Sequence, residues 1–213
     1  MIPYYEIPRR YPDSTWVAIA SGASLHDSQV EVAREMREAD RCRVIVSNNN
    51  IFKAPWADHL HFADKQWWTW YHDREEYRTF AGVKTTLDKT LGAEEAHILH
   101  CESSRGLHPD PGWVGGNSSG QHAINIAAHY GAKRIILIGY ECAAVMNGNY
   151  SWTHWFNDHP NKTDPSVFAS MIANFNMIPP IAEKMGIEII NCSINTAIHC
   201  FKKDTIENVF DRS

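Results

Sequence analysis

The sequence predicts a doubly wound α/β domain on three observations: short apolar runs, helical patterns between them, and glycines placed where those helices would stop. WVAIA (16–20), CRVIV (42–46), HILHC (97–101), RIILIG (134–139) and IEIIN (187–191) are partly β-branched and apolar on both faces. Strands of a parallel sheet covered on both sides have this character. Helical patterns run through 28–39 (SQVEVAREMREA), 121–132 (QHAINIAAHYGA) and 171–186 (MIANFNMIPPIAEKMG), and Gly131 and Gly186 stand where the last two would end. The alternation implies a mostly parallel, Rossmann-like sheet with helices on both faces. Two segments interrupt it. Residues 52–90, dense in Trp and charge (KQWWTWYHDREEY), are expected as a small helical excursion, and the Gly/Pro-rich 102–117 as a long loop. The tail after Cys200 is expected to form a last short helix. No internal repeat is visible, and one domain over 1–213 is expected.

At 213 residues, 44% hydrophobic and 21% charged, the chain can bury a core and lacks the composition of a disordered segment. A net charge of -5 argues against a broad nucleic-acid face while leaving room for one local anion pocket. The opening MIPYYEIPRRYPDSTW has no apolar leader core, and no run of about 18 apolar residues occurs, so no membrane span and a cytoplasmic location are expected. Cys42, Cys101, Cys142, Cys192 and Cys200 are odd in number, scattered and without a CxxC pair, which suggests neither a disulfide framework nor a zinc knuckle.

In open α/β sheets ligands bind beyond the carboxyl ends of the strands, so the residues after each apolar run carry the functional signal. Ser21-Gly22-Ala23-Ser24-Leu25 is a small-residue turn that lets a backbone approach a phosphate, although a tight strand-to-helix turn wants the same residues. Ser47-Asn48-Asn49-Asn50 offers amides that can read a base edge or a sugar hydroxyl, or form a plain Asn-rich turn. Asn117-Ser118-Ser119-Gly120 reads as a capped helix start, which is also an anion site through its free amides and dipole. Gly139-Tyr140-Glu141 puts a carboxylate at a strand end, placed to accept from ribose hydroxyls or to pair with a cation.

HWFNDHPNKTD (154–164) cannot build a core. A metal pair fails, because His154 and His159 are five apart and Pro160 would break the helix that such a pair needs. As a loop, the stretch offers a histidine that titrates near neutral pH as a general base, with amides or Thr163 and Asp164 to fix its tautomer. Plain surface histidines are the competing reading, and the absence of GxSxG leaves no serine-type triad.

In order, SGASL, an Asn after the second strand, NSSGQHAINIAAHYGAKRIILIGYE, HPNKTD and GIEIINCSINTAI resemble the bacterial sialyltransferases of glycosyltransferase family 42. More distantly they resemble the superfamily of MptE-like hydroxymethylpterin pyrophosphokinases and MAF flagellin glycosyltransferases. The match runs over 16–200, with little from 52–112. The resemblance implies a GT-A-like variant of the fold, with Gly22 and Ser24 against the nucleotide phosphate and Asn48 or its neighbour Asn49 on the nucleotide or sugar. It implies Ser118, Ser119 and Gly120 on the cytidine side, Gly139 and Glu141 at the ribose, Asn195 and Thr196 near the nucleotide, and His159 as base. Two departures stand out. Glu141 replaces the usual Asp, and of the two loop tyrosines that clamp the leaving phosphate only Tyr150 is present, the other position falling at Ala143 or Ala144.

The expected activity is therefore an inverting, metal-independent transfer of a sugar from a nucleotide-activated donor, CMP-sialic acid or a relative, to an acceptor hydroxyl. His159 and Tyr150 would be catalytic, no cofactor would be needed beyond the donor substrate, and a homo-oligomer is expected. Two alternatives remain: pyrophosphoryl transfer with Mg²⁺ on Glu141 and Asp64, and a nucleotide-binding protein without catalysis. Trp67, Trp68 and Trp70 are read either as a sugar-stacking platform or as core or subunit interface.

Overall fold

The computed structural model describes residues 4–147, 150–156, 164 and 166–212, with backbone alone for 145–147 and 150–152. In chain order it contains β1 (Ser14–Ile19), α1 (Asp27–Glu38), β2 (Arg43–Ser47), a 3-10 turn (Asn48–Phe52), β3 (His59–Phe62), α2 (Lys65–Tyr71), α3 (Glu75–Arg78), β4 (Val83–Thr86) and β5 (His97–Ile98). There follow β6 (His100–Glu102), β7 (Trp113–Gly115), α4 (Ser119–Tyr130), β8 (Ala132–Ile138), β9 (Val145–Asn147), β10 (Tyr150–Trp152), α5 (Val167–Phe175), α6 (Pro179–Lys184), β11 (Glu188–Asn191), β12 (Lys202–Lys203) and α7 (Ile206–Asp211).

Eight strands form one sheet in the order β12-β11-β8-β1-β2-β3-β4-β5, every neighbouring pair parallel. The period of two along each strand splits the core between the faces. From β1, Val17 and Ile19 point to a layer with Val30 and Ala33 of α1, Trp67 of α2 and Ile206 of α7. Trp16 and Ala18 point to the other layer, with α4, Phe175 and Ala182. Both layers are apolar and buried, which explains why the strands lack polar alternation. The expected α/β fold with helices on both faces is the one observed.

The chain fills one side of β1 through β5, then crosses by α4 to start the other side at β8. The strand order thus reverses between β1 and β8, and the ends of these two strands open a crevice.

Three expectations are corrected in detail. Residues 52–90 do hold α2 and α3, but β3 and β4 alternate with them, so the segment is half sheet. HLHF and VKTT hid this, because their His and Thr side chains are buried through mutual hydrogen bonds. HILHC is split between β5 and β6, the latter pairing with β7 outside the main sheet. The helix expected over 171–186 breaks into α5 and α6 at Met177-Ile178, where the Pro179-Pro180 pair withholds amides and α6 starts with proline.

Candidate functional site

A cavity of about 600 Å³ lies at the crevice, walled by the turns after β1, β2, β3 and β8, the loop into α4, the start of α4, Thr153-His154 and one side of α5. Gly22, Asn48, Ser118, Ser119, Gly120, Gly139 and Glu141 line it, so separate strand ends do converge on one volume. Ser24, Asn49, Asn195 and Thr196 do not, and the structure gives each of them another task.

At the β1 and β8 tips, Gly22 N–H donates to Gly139 O at 2.9 Å, and Gly139 holds a φ of +73°. Glu141 turns back under this turn: Ser24 N–H donates to Oε2 at 3.0 Å and Ser24 Oγ–H to Oε1 at 2.6 Å. A Cβ at residue 22 would meet that carboxylate at 2.2 Å, so any side chain there would push Glu141 off Ser24. Burial pushes the Glu141 carboxyl above its ordinary range, against the pull of the Ser24 hydrogen bonds. The carboxylate expected at a ribose is thus engaged by its own turn, and Ser24, expected against phosphate, is the group that engages it. Asn195 N–H adds a bond to Ser24 Oγ at 3.3 Å, and Thr196 Oγ1–H donates to Tyr140 O at 2.7 Å. These two residues fasten the loop after β11 to the site's floor instead of reaching the cavity.

The start of α4 follows the expected logic. Ser118 is the N-cap, its Oγ accepting from Gln121 N–H at 3.4 Å. Ser119 and Gly120 occupy the next two positions, where amides have no intrahelical acceptor, and both line the cavity. Helix polarity adds roughly half a positive charge there. Tyr140 cannot supply the missing phenol, since it is buried and its Oη–H donates to Gly120 O at 2.9 Å.

The three asparagines divide their work. Asn50 Nδ2 donates to Ile19 O, Ser21 Oγ and Ser47 O, tying the β1 and β2 tips together. Asn49, expected at the nucleotide, is buried: its Oδ1 accepts from Trp67 Nε1–H at 2.7 Å and its Nδ2 donates to Tyr71. Asn48 is different. It holds a left-handed φ of +53°, lines the cavity, and among the described residues its carboxamide has no partner. Strained backbone of this kind gathers at functional sites. Cys142, at φ +48°, is a second non-glycine case on the same wall.

From the far side a strap crosses the β1 tip. His154 bridges Gly22 in antiparallel fashion, Trp155 N–H donates to Ser21 O at 3.2 Å, and Trp155 Nε1–H to Asn50 Oδ1 at 2.9 Å. His154 reaches the cavity wall with Nδ1 2.7 Å from Thr153 Oγ1. His159 lies outside the described residues, as does the side chain of Tyr150. Trp67 is core, packed on Phe62 and Tyr77, and none of Trp67, Trp68 or Trp70 lines the cavity, so the sugar-platform reading is set aside.

Asp64, named from the sequence as a magnesium ligand for the pyrophosphoryl alternative, stands after β3 on the cavity wall with its carboxylate unpartnered among the described residues. Sequence reasoning missed the remaining wall: Cys101 and His122 flank the loop into α4, and Phe168, Met171 and Phe175 give an apolar side. Only the apolar i, i+3, i+7 spacing of these last three was visible in the chain. Among the described lining residues there is no lysine or arginine. Nor do the described residues gather three metal-ligating side chains, and none of the five cysteines is paired.

No protein-family model matches the sequence, and no curated protein matches it. Among solved structures, the fold is similar to that of a MAf glycosyltransferase from Magnetospirillum magneticum AMB-1, with a TM-score of 0.59 at 12% identity. The similarity covers 95% of this chain and 36% of that one, so the chain spans about a third of its structural neighbour. No helix among the described residues is long and apolar enough to cross a membrane.

Proposed function

We propose that this domain binds a sugar activated through a single nucleotide phosphate, of the CMP-sugar kind, and transfers the sugar to an acceptor hydroxyl with inversion. The observation that carries the reading is the cavity's charge: an open helix start and no lysine or arginine among its described walls. Two free amides and about half a positive charge suit one phosphodiester anion better than a pyrophosphate, which carries two or more charges. Magnesium would need carboxylates, and with Glu141 closed on Ser24 only Asp64 is unengaged among the described lining residues. The fold shared with a glycosyltransferase agrees with this class of chemistry.

In the proposed reaction the acceptor oxygen attacks the anomeric carbon as the bond to the phosphate oxygen breaks, its electron pair leaving with the nucleotide. The amides of Ser119 and Gly120 receive the departing charge. The acceptor's proton passes to a histidine of the stretch 154–164. His154 is the better supported, because it stands on the cavity wall against Gly22 and its Nδ1 is paired with Thr153. His159, the choice implied by the sequence resemblance, is the rival.

A thermal-shift screen with CMP, UMP, GMP, AMP and their sugar conjugates tests the binding. A ligand at 100 times its Kd adds about 2.7 kcal/mol, or roughly 5–10 °C for a chain of this size. Cytidine monophosphate compounds are expected to give it, and a flat response across the panel defeats the proposal. With a donor in hand, His154→Ala is expected to lower turnover about 10²- to 10⁴-fold with nucleotide affinity nearly unchanged, in excess EDTA as well as without it. The same loss from His159→Ala and none from His154→Ala would transfer the role.

A further inference from the structure

Behind the cavity runs a chain of buried polar groups that the proposed chemistry does not use. His122 Nε2 lies 3.1 Å from Gly116 O, His61 Nε2 3.1 Å from His122 Nδ1, and Thr85 Oγ1 2.9 Å from His61 Nδ1. Thr85 Oγ1 is also 2.8 Å from His59 Nε2, and His59 Nδ1 is 3.0 Å from the Tyr130 hydroxyl. Every member is buried, His59, His61 and Thr85 completely.

Cys101 Sγ also lies 3.6 Å from His122 Nε2, but the Gly116 carbonyl at 3.1 Å is the nearer partner, and hydrogen-bond chemistry then fixes the protons of this chain. A carbonyl only accepts, so His122 Nε2 carries the proton that meets Gly116 O. The Nδ1 of a neutral imidazole is then bare and takes the proton of His61 Nε2. His61 Nδ1, bare in turn, accepts from the Thr85 hydroxyl, whose oxygen accepts from His59 Nε2–H. His59 Nδ1 accepts from Tyr130. Burial holds all three imidazoles neutral, which the scheme requires. One carbonyl therefore dictates three tautomers, and reversing any single bond leaves two donors or two acceptors face to face.

That carbonyl sits where it matters. Gly116 holds a φ of +104°, and glycine lets the Gly116–Asn117 peptide flip with little steric resistance. Hydrogen bonds decide its direction: His122 Nε2–H and Cys101 Sγ–H on the carbonyl, and Gln121 Oε1 on the Asn117 N–H at 2.8 Å. Gly116, Asn117 and Ser118 all line the cavity, directly before the free amides of α4. We propose that His122 is a positioning residue for this anion-binding turn, holding the Gly116 carbonyl with a proton whose place is set by the relay reaching back to Tyr130. Its bearing on ligand rests on the reading that the α4 start receives a phosphate; the relay itself does not.

Nitrogen-15 NMR of the ligand-free protein at pH 7 tests the relay. His59, His61 and His122 are expected as neutral Nε2–H tautomers, and a Nδ1–H tautomer or an imidazolium at any of them overturns it. Positioning is read by amide exchange. His122→Leu should speed exchange of the Asn117 amide at least tenfold while β2 amides stay as in wild type. His122→Gln, which can both donate to Gly116 O and accept from His61, should restore protection; unchanged Asn117 exchange in the leucine variant overturns the assignment. If His122→Leu does not fold, Thr85→Val breaks the relay two links back and Thr85→Ser repairs it, with the same readouts. CMP titration then separates the two readings. Tight binding by wild type and equally tight binding by His122→Leu overturns the role in ligand positioning, whereas no binding by wild type overturns the nucleotide reading and leaves the relay to be judged by its tautomers.

Discussion

Asn48 holds a backbone shape that costs an ordinary L-residue about 1–2 kcal/mol, less for Asn, and among the described residues its carboxamide has no partner. Asn48→Gly keeps that backbone and removes only the amide. Stability is expected to stay within about 0.5 kcal/mol while CMP affinity falls about 2- to 10-fold, the worth of one net hydrogen bond. Calorimetric titration beside a urea melt checks it, and unchanged affinity removes Asn48 from the ligand. Glu141 is the opposite case, a residue whose site-facing position conceals a structural duty. Glu141→Gln sets an NH₂ against one of two Ser24 donors, and a loss of about 1–3 kcal/mol in urea melts is expected before any ligand is added. Equal stability would mean that the carboxylate is free for substrate after all.

The start of α4 performs two jobs that one substitution can separate. Aspartate caps a helix as well as serine does, yet its charge would meet an incoming phosphate. Ser118→Asp is thus expected to melt within about 1 °C of wild type and to bind CMP at least tenfold more weakly, whereas parallel losses would mark Ser118 as a cap and nothing more. This element was legible in the chain because capping and anion binding use the same residues, and the dry strands β1, β2, β8 and β11 were legible because burial on both faces leaves no alternation to misread. β3 and β4 were not. Their side chains are polar by composition and buried by pairing, and hydrophobic pattern carries no trace of a partner 24 residues away, such as Thr85 for His61. The same blindness hid the duties of Asn49, Ser24 and Thr196, whose partners come from α2 and the loop after β8. The choice of His159 came from the resemblance, and that residue lies outside the described residues, while nothing local in the sequence reveals that His154 bridges Gly22.

At the scale of the whole molecule, those buried pairings set the pH range of stability. His59, His61 and His122 are held by burial far below the ordinary 6.5, His59 to about 3 and His122 to about 4. Below pH 6.5 the unfolded chain takes up protons that the folded chain refuses, so stability is complete above 6.5 and lost as pH falls toward the folded values. Each such group contributes about 1.4 kcal/mol per pH unit, so three give a slope of about 4. Glu141 opposes them, since its raised carboxyl binds a proton sooner in the folded state, but it is one group against three. On the alkaline side Cys42, Cys142 and Cys192 are pushed from 9.0 up to about 12 by burial, so above pH 9 the unfolded chain alone ionises and stability declines again. A plateau from about pH 6.5 to 9 with a steep acid edge is expected in urea midpoints. For a domain with about 5–15 kcal/mol to lose, that edge places acid unfolding between about pH 5 and pH 3. His122→Gln removes one titrating group and should flatten the acid slope by about 1.4 kcal/mol per unit. An equal slope in wild type and variant would show that His122 is not held neutral, and with it the fixed polarity of the relay would fall.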